Sequence, residues 1–103
     1  MTRLVVLWES PGDPVAFERH YREVHIPLAS AMPGLRRYTV GWDPSPIVGE
    51  PYHAVAELDF DDRESLRAAF ASPEGRATAA DANAITTDLG AARRAMVFEV
   101  EEV

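Results

Sequence analysis

The sequence predicts an α+β fold with its elements in the order βαββαβ, and three observations carry that expectation. Four segments rich in β-branched and aromatic residues are spread along the chain. Two helical regions with clear start signals lie between them, one after the first strand and one after the third. The strands also carry apolar side chains at alternate positions on both of their faces.

The first strand is RLVVLWE (3–9), stopped by the turn cluster SPGDP, and a helix follows over about 14–25. LRRYTVGWD (35–43) reads as the second strand, introduced by the Pro33-Gly34 turn. PSPIVGEP (44–51), with three prolines, is a loop, and YHAVAELDF (52–60) is the third strand, with the clearest alternation in the chain. Asp61 with Glu64 resembles a capping box for the helix DRESLRAAFA (62–71). Ser72 as N-cap, Pro73 at the first helical position and Glu74 near the positive dipole end restart a helix, expected to reach about Ala84. ITTDLGA (85–91) is then a connection, and RRAMVFEVEE (93–102) is the last strand.

This order is the ferredoxin-like split βαβ arrangement, a four-stranded antiparallel sheet with both helical regions on one face. Val5, Leu7, Tyr38, Val40 and Val55 are assigned to the opposite face. One helical layer cannot cover both faces, so a homodimer packed sheet to sheet is expected.

The 103 residues are read as a single domain spanning 1–103. Net charge is −7 and all ten basic residues are arginines, dispersed without a basic stripe, which argues against nucleic acid as a partner. Cysteine is absent, so disulfides, thiolate nucleophiles and most structural zinc sites are excluded. The apolar run at the start is too short for a signal-peptide core, and no segment has the length of a membrane span. A cytoplasmic protein with no membrane partner is the expectation.

The stretch FERHYREVHIPLA (17–29) holds the main candidate for chemistry. At about 100° per residue, Phe17, Tyr21, Val24 and Leu28 share one sector, the face expected to pack on the sheet. Glu18–Arg22 and Arg19–Glu23 are i,i+4 pairs on the solvated side. His20 and His25 fall on the two flanks of the apolar sector, nearly equivalent by periodicity. Pro27 separates them: it offers no amide to the carbonyl of Glu23, so the helix should end or kink near His25. There the imidazole either points into a cavity or merely caps loose carbonyls.

A second polar oddity is Asp81, which falls on a small-residue face with Ala77, Ala80 and Ala84. A carboxylate there needs a partner. His25 is one, as in acid–imidazole pairs that fix a tautomer; Arg76 or a backbone amide is the other.

Among other constellations, His20, His25 and His53 do not make a metal site: the two helical histidines are five apart rather than four. Haem on His25 has no supporting motif, and no G-x-S-x-G, phosphate loop or dinucleotide fingerprint is present. No cofactor is expected. Trp8, Tyr38, Trp42, Tyr52 and Phe98 either pack the core and the dimer interface or line an apolar pocket.

The pattern Phe17, Tyr21, His25, Pro27, Leu28, followed by PGLRRYTV and later SPEGRATAADAN, resembles the EthD family of the dimeric α/β-barrel superfamily, over nearly the whole chain. The resemblance implies a ferredoxin-like monomer that dimerises through its sheets. It also implies a role in oxidation of small molecules, as in ethyl tert-butyl ether degradation. Related barrels include cofactor-free monooxygenases of quinols, cyclases and decarboxylases. His25 would be the family's helix-end histidine, Tyr21 its neighbour one turn earlier, and Asp81 the matching residue of the second helical region. The expectation is thus an apolar cavity for an aromatic, ether or polyketide-like compound. His25 would act there as general acid/base, Tyr21 as a hydrogen-bonding neighbour and Asp81 as the orienting group. A non-catalytic accessory protein of an oxidoreductase system, or a dimer with no cavity, is the alternative.

Overall fold

The computed structural model describes residues 1–103. Strands β1 (Thr2–Trp8), β2 (Arg37–Trp42), β3 (Ala54–Phe60) and β4 (Arg93–Glu99) form one sheet in the order β2-β3-β1-β4, antiparallel throughout. The first helical region, called α1, joins α-helical Pro14–His20, a π-helical turn Tyr21–His25 and α-helical Ile26–Ser30. Helices α2 (Arg63–Ala71) and α3 (Pro73–Leu89) follow β3. This is the α+β ferredoxin-like arrangement, with β1 and β3 central and each helical region crossing over the same face.

Each helix starts on a side chain that accepts an orphan amide: Asp13 from Ala16 (3.1 Å), Asp62 from Ser65 (2.7 Å) and Ser72 from Gly75 (3.0 Å). The cap of α2 is therefore Asp62, one residue beyond the Asp61 expected from the sequence. Asp61 is instead held by the guanidinium of Arg36 at 2.8 and 3.0 Å. The end of α3 also moves. It continues past Ala84 to Leu89, and Gly90 stops it in the left-handed conformation at φ 66°. The β-branched run Ile85-Thr86-Thr87 weakens helix propensity. Tertiary contacts override it, because Ile85 is fully buried and Thr86 receives a bond from Arg93.

The largest departure lies in α1. The helix does not end at His25 but runs on through Pro27, and it does so by widening. The amide of Ile26 donates to the carbonyl of Tyr21, five residues back, so one extra residue is taken up before the proline. That residue shifts the buried face. Val24, assigned by a uniform wheel to the sheet side, is 40% exposed, while Phe17, Tyr21, His25 and Ala29 are buried. His25 thus lies in the middle of the packed face and not on its flank.

Strand register corrects a second assignment. Tyr38 pairs with Leu58 and Val40 with Ala56, and β1 places Leu4 and Val6 against those same β3 residues. Cross-strand partners share a face, so Tyr38 and Val40 look toward the helices, where they pack on the core. The far face keeps Val5, Leu7 and Val55 and gains Met96 and Phe98, which are 49% and 43% exposed.

The core has two parts under the helices. Trp8, Phe17, Tyr21, Ala54, Ile85 and Ala91 fill one end, and Ala29, Met32, Ala56, Leu58, Phe60 and Ala69 the other. Full burial of a large apolar side chain contributes about 1.5–3 kcal/mol, so the Trp8–Phe17–Tyr21 group fixes how α1 sits on the sheet.

Candidate functional site

Between the two core regions lies a cavity of about 300 Å³. The sheet supplies Leu4, Val6, Trp8, Tyr38, Ala56, Leu58, Arg93 and Ala95; the helices supply Tyr21, His25, Leu66, Phe70, Thr78, Ala79 and Ala82. The space exists because α3 meets the sheet through Thr78, Ala79 and Ala82, whose short side chains cannot reach across it. The alanine face singled out in the sequence was thus turned: Ala77, Ala80 and Ala84 do not line this cavity.

Asp81, on the adjoining side of α3, meets α1. The Nδ1 of His25 lies 2.9 Å from Asp81 Oδ2, and the Nε2 of His20 lies 2.8 Å from Asp81 Oδ1. With Asp81 as carboxylate, both imidazoles donate. The pairing of His25 with Asp81 weighed from the sequence is present, and Arg76 is not involved. The second histidine was missed, because residues five apart diverge on an α-helix. In a π turn the hydrogen bonds span five residues, which brings positions 20 and 25 to the same side. The chain of groups runs inward, from His20 at 33% side-chain exposure to Asp81 at 11% and His25 at 8%.

Burial pushes the His25 imidazole below the usual histidine value, and the bond to Asp81 offsets this only in part; the positive charge of Arg93 acts in the same direction as burial. A neutral ring that donates from Nδ1 carries its lone pair on Nε2, and Nε2 has no hydrogen-bond partner in the protein. Tyr21, 4.9 Å from His25 between ring centroids, shares a 2.6 Å hydrogen bond with the hydroxyl of Tyr38. Burial raises both phenols, Tyr21 to about 12, and Tyr38 further up. Two hydroxyl protons serve one bond between them, so one proton is left to donate to a guest. Tyr38 was legible as an aromatic that either packs or lines an apolar pocket, and it does line the cavity; its pairing with Tyr21 was not legible, because it was assigned to the far face. The alternation Tyr38-Val40-Trp42, against Arg37, Thr39 and Gly41, is the signal that places it inside.

The site thus combines a neutral imidazole, an orienting carboxylate and a phenol pair in a pocket that is otherwise mainly apolar. Of the residues singled out in the sequence, His25, Tyr21 and Asp81 come together, with Asp81 behind His25. His53 does not join them; it packs against Phe17 and Trp42.

Fold and cavity together define a ferredoxin-like α+β protein with a small-molecule-sized pocket under its helices that opens to solvent beside Ala79 and Ala95. The model of the EthD domain matches residues 10–88, and the chain belongs to the EthD family. An uncharacterized 11.0 kDa protein from the thcB–thcC intergenic region of Rhodococcus erythropolis is 39% identical over 83 residues, 79% of this chain and 80% of that one. A solved structure of an ethyl tert-butyl ether D family protein from Bacillus halodurans is 34% identical, covers 98% of this chain and 99% of its own, and superposes with a TM-score of 0.86. SnoaB of Streptomyces nogalater, a cofactor-independent oxygenase, shares the fold at 20% identity and a TM-score of 0.66, over 99% of this chain and 94% of its own. No helix is long and apolar enough to cross a membrane.

Proposed function

We propose that this protein takes a small hydrophobic molecule, aromatic, ether or polyketide-like, into the cavity and acts on it by cofactor-free acid/base chemistry in an oxidative catabolic or biosynthetic pathway. One observation carries the reading: a buried imidazole with its tautomer fixed by a carboxylate, and its free nitrogen unclaimed, on the wall of an apolar pocket. In this account His25 Nε2 removes a proton next to a carbonyl or from a phenol. Asp81 accepts from Nδ1–H and stabilises the imidazolium that forms. The phenol pair of Tyr21 and Tyr38 donates its spare proton to the substrate oxygen, where negative charge develops. The resulting carbanion or phenolate is a starting point for attack on dioxygen as co-substrate, and equally for ring closure. The cofactor-independent chemistry of SnoaB, on the same fold, favours the first.

The reading includes a cytoplasmic homodimer joined through the far face of the sheet, where Val5, Leu7 and Val55 are half-buried and Met96 and Phe98 are exposed. Titration with a panel of two- and three-ring phenols and quinols, with oxygen uptake recorded alongside, tests the functional part. Binding and turnover by the native protein, with turnover lost and binding kept in His25→Ala, are expected. Binding without turnover by the native protein would replace the enzyme with a non-catalytic accessory ligand-binding protein. Undiminished turnover in His25→Ala would remove His25 from the chemistry.

A further inference from the structure

Arg93 stands apart from the other arginines. Arg3, Arg22, Arg36, Arg63 and Arg67 each pair with a carboxylate. Arg19, Arg37, Arg76 and Arg94 are exposed to water. Arg93 is half-buried, lines the cavity and has no acidic partner, in a chain of net charge −7 with 17 acidic residues to choose from. A partly desolvated cation without a counter-charge is costly to keep.

Its surroundings hold the guanidinium in place without neutralising it. Nη1 donates to the Ala82 carbonyl at 3.1 Å and to Thr86 Oγ1 at 2.7 Å, and Nη2 donates to Asn83 Oδ1 at 2.6 Å. All three acceptors are uncharged and sit on the last turns of α3. The guanidinium lies 5.7 Å over the Trp8 ring, which fixes its other side. A guanidinium has five N–H donors, so three bonds leave the Nε–H and one Nη2–H, a fork suited to a planar oxyanion. The indole N–H of Trp8, which lines the same cavity, is buried beside the Tyr21 hydroxyl without a hydrogen bond of good geometry. The charge of Arg93 and two of its N–H groups are left on this wall without a carboxylate to answer them.

We infer that the cavity is selective for an apolar ligand carrying an acidic oxygen, a carboxylate or an ionised phenol or enol, and that Arg93 is the residue that reads it. The inference rests on the cavity being a ligand site, as proposed above, and adds the charge of the ligand. On this account the fork meets the anionic oxygen while the hydrocarbon part fills the apolar pocket. Because Arg93 is held by α3 and by Trp8, the interaction needs no reordering of the side chain on binding.

The test compares 2-naphthoate with 2-naphthamide, equal in shape and different in charge, by calorimetric titration at pH 7 of the full chain. A charge-assisted bond is worth about tenfold or more in affinity, so 2-naphthoate is expected to bind at least about tenfold tighter than the amide. In Arg93→Gln the preference is expected to vanish with amide binding unchanged; in Arg93→Lys, which keeps the charge without the fork, it is expected to survive in part. Equal binding of both probes to the native protein, or a preference that persists in Arg93→Gln, would overturn the role of Arg93 and leave the cavity reading standing. Binding of neither probe, with the native fold intact by circular dichroism, would overturn both together.

Discussion

Removing the carboxylate of Asp81 separates a buried bond from an exposed one within the same residue. In Asp81→Ala the imidazole of His25, at 8% side-chain exposure, loses the acceptor of its Nδ1–H. Leaving a buried donor unpaired costs about 1–3 kcal/mol. The imidazole of His20, at 33% exposure, turns to water instead, and its loss is about 0.5 kcal/mol or less. The sum is about 2 kcal/mol, which for a domain of this size lowers the melting temperature by about 8–15 °C. In a His25→Phe background the buried donor is already gone, so the same substitution is expected to cost only the His20 share, about 0.5 kcal/mol. Thermal and urea denaturation of the four proteins closes the cycle. An equal loss in both backgrounds would mean that Asp81 does not hold or orient His25.

Two further outcomes follow from the packing and the charges. Gly75 is buried where α3 passes α2, and a Cβ there would lie 2.5 Å from the Phe70 Cα and collide with the Ala69 carbonyl. Glycine to alanine in a helix ordinarily gains about 1 kcal/mol, but backbone cannot give way as a side chain can, so Gly75→Ala is expected to lower the melting temperature; a rise would show the helices are free to part. Because His25 titrates lower in the folded chain than in the unfolded one, near 6.5, the unfolded state binds the extra proton first as pH falls. Stability is then expected to drop as pH falls through about 6.5 and below, and less so in His25→Gln. Asp59, Asp61 and Asp62, held low by Arg3, by Arg36 and by the Ser65 amide, lose their stabilising charge in the same sense but only as pH falls below about 4. Identical urea midpoints at pH 7.5 and 5.5 would contradict the burial of His25.

The order of elements was readable because strand alternation and helix caps are local signals: Ser72 with Pro73 marked the start of α3 correctly. Asp81 was readable as well, since a carboxylate among alanines demands a partner whatever the fold. His25 was reached through Pro27, yet the proline acts differently from the expectation. A chain without that amide can end its helix or widen it, and only packing of Phe17, Tyr21 and Ala29 on the sheet selects the second. Counting at 3.6 residues per turn across the widened turn misplaces every residue beyond it, which is why Val24 and Leu28 were assigned inward and His20 was not linked to Asp81. Tyr38, named among the aromatics that could line a pocket, was put on the far face by a one-residue choice of phase in β2, which reverses both faces at once. Arg93 carries no sequence signal, because its want of a carboxylate is a property of the assembled wall.

The most direct measurement is ring-nitrogen NMR of His25 at pH 7 in the native protein. His25 is expected to be a neutral imidazole protonated on Nδ1, with an unprotonated Nε2 on the cavity side. An imidazolium at that pH, or a proton on Nε2 with Nδ1 bare toward Asp81, would contradict it.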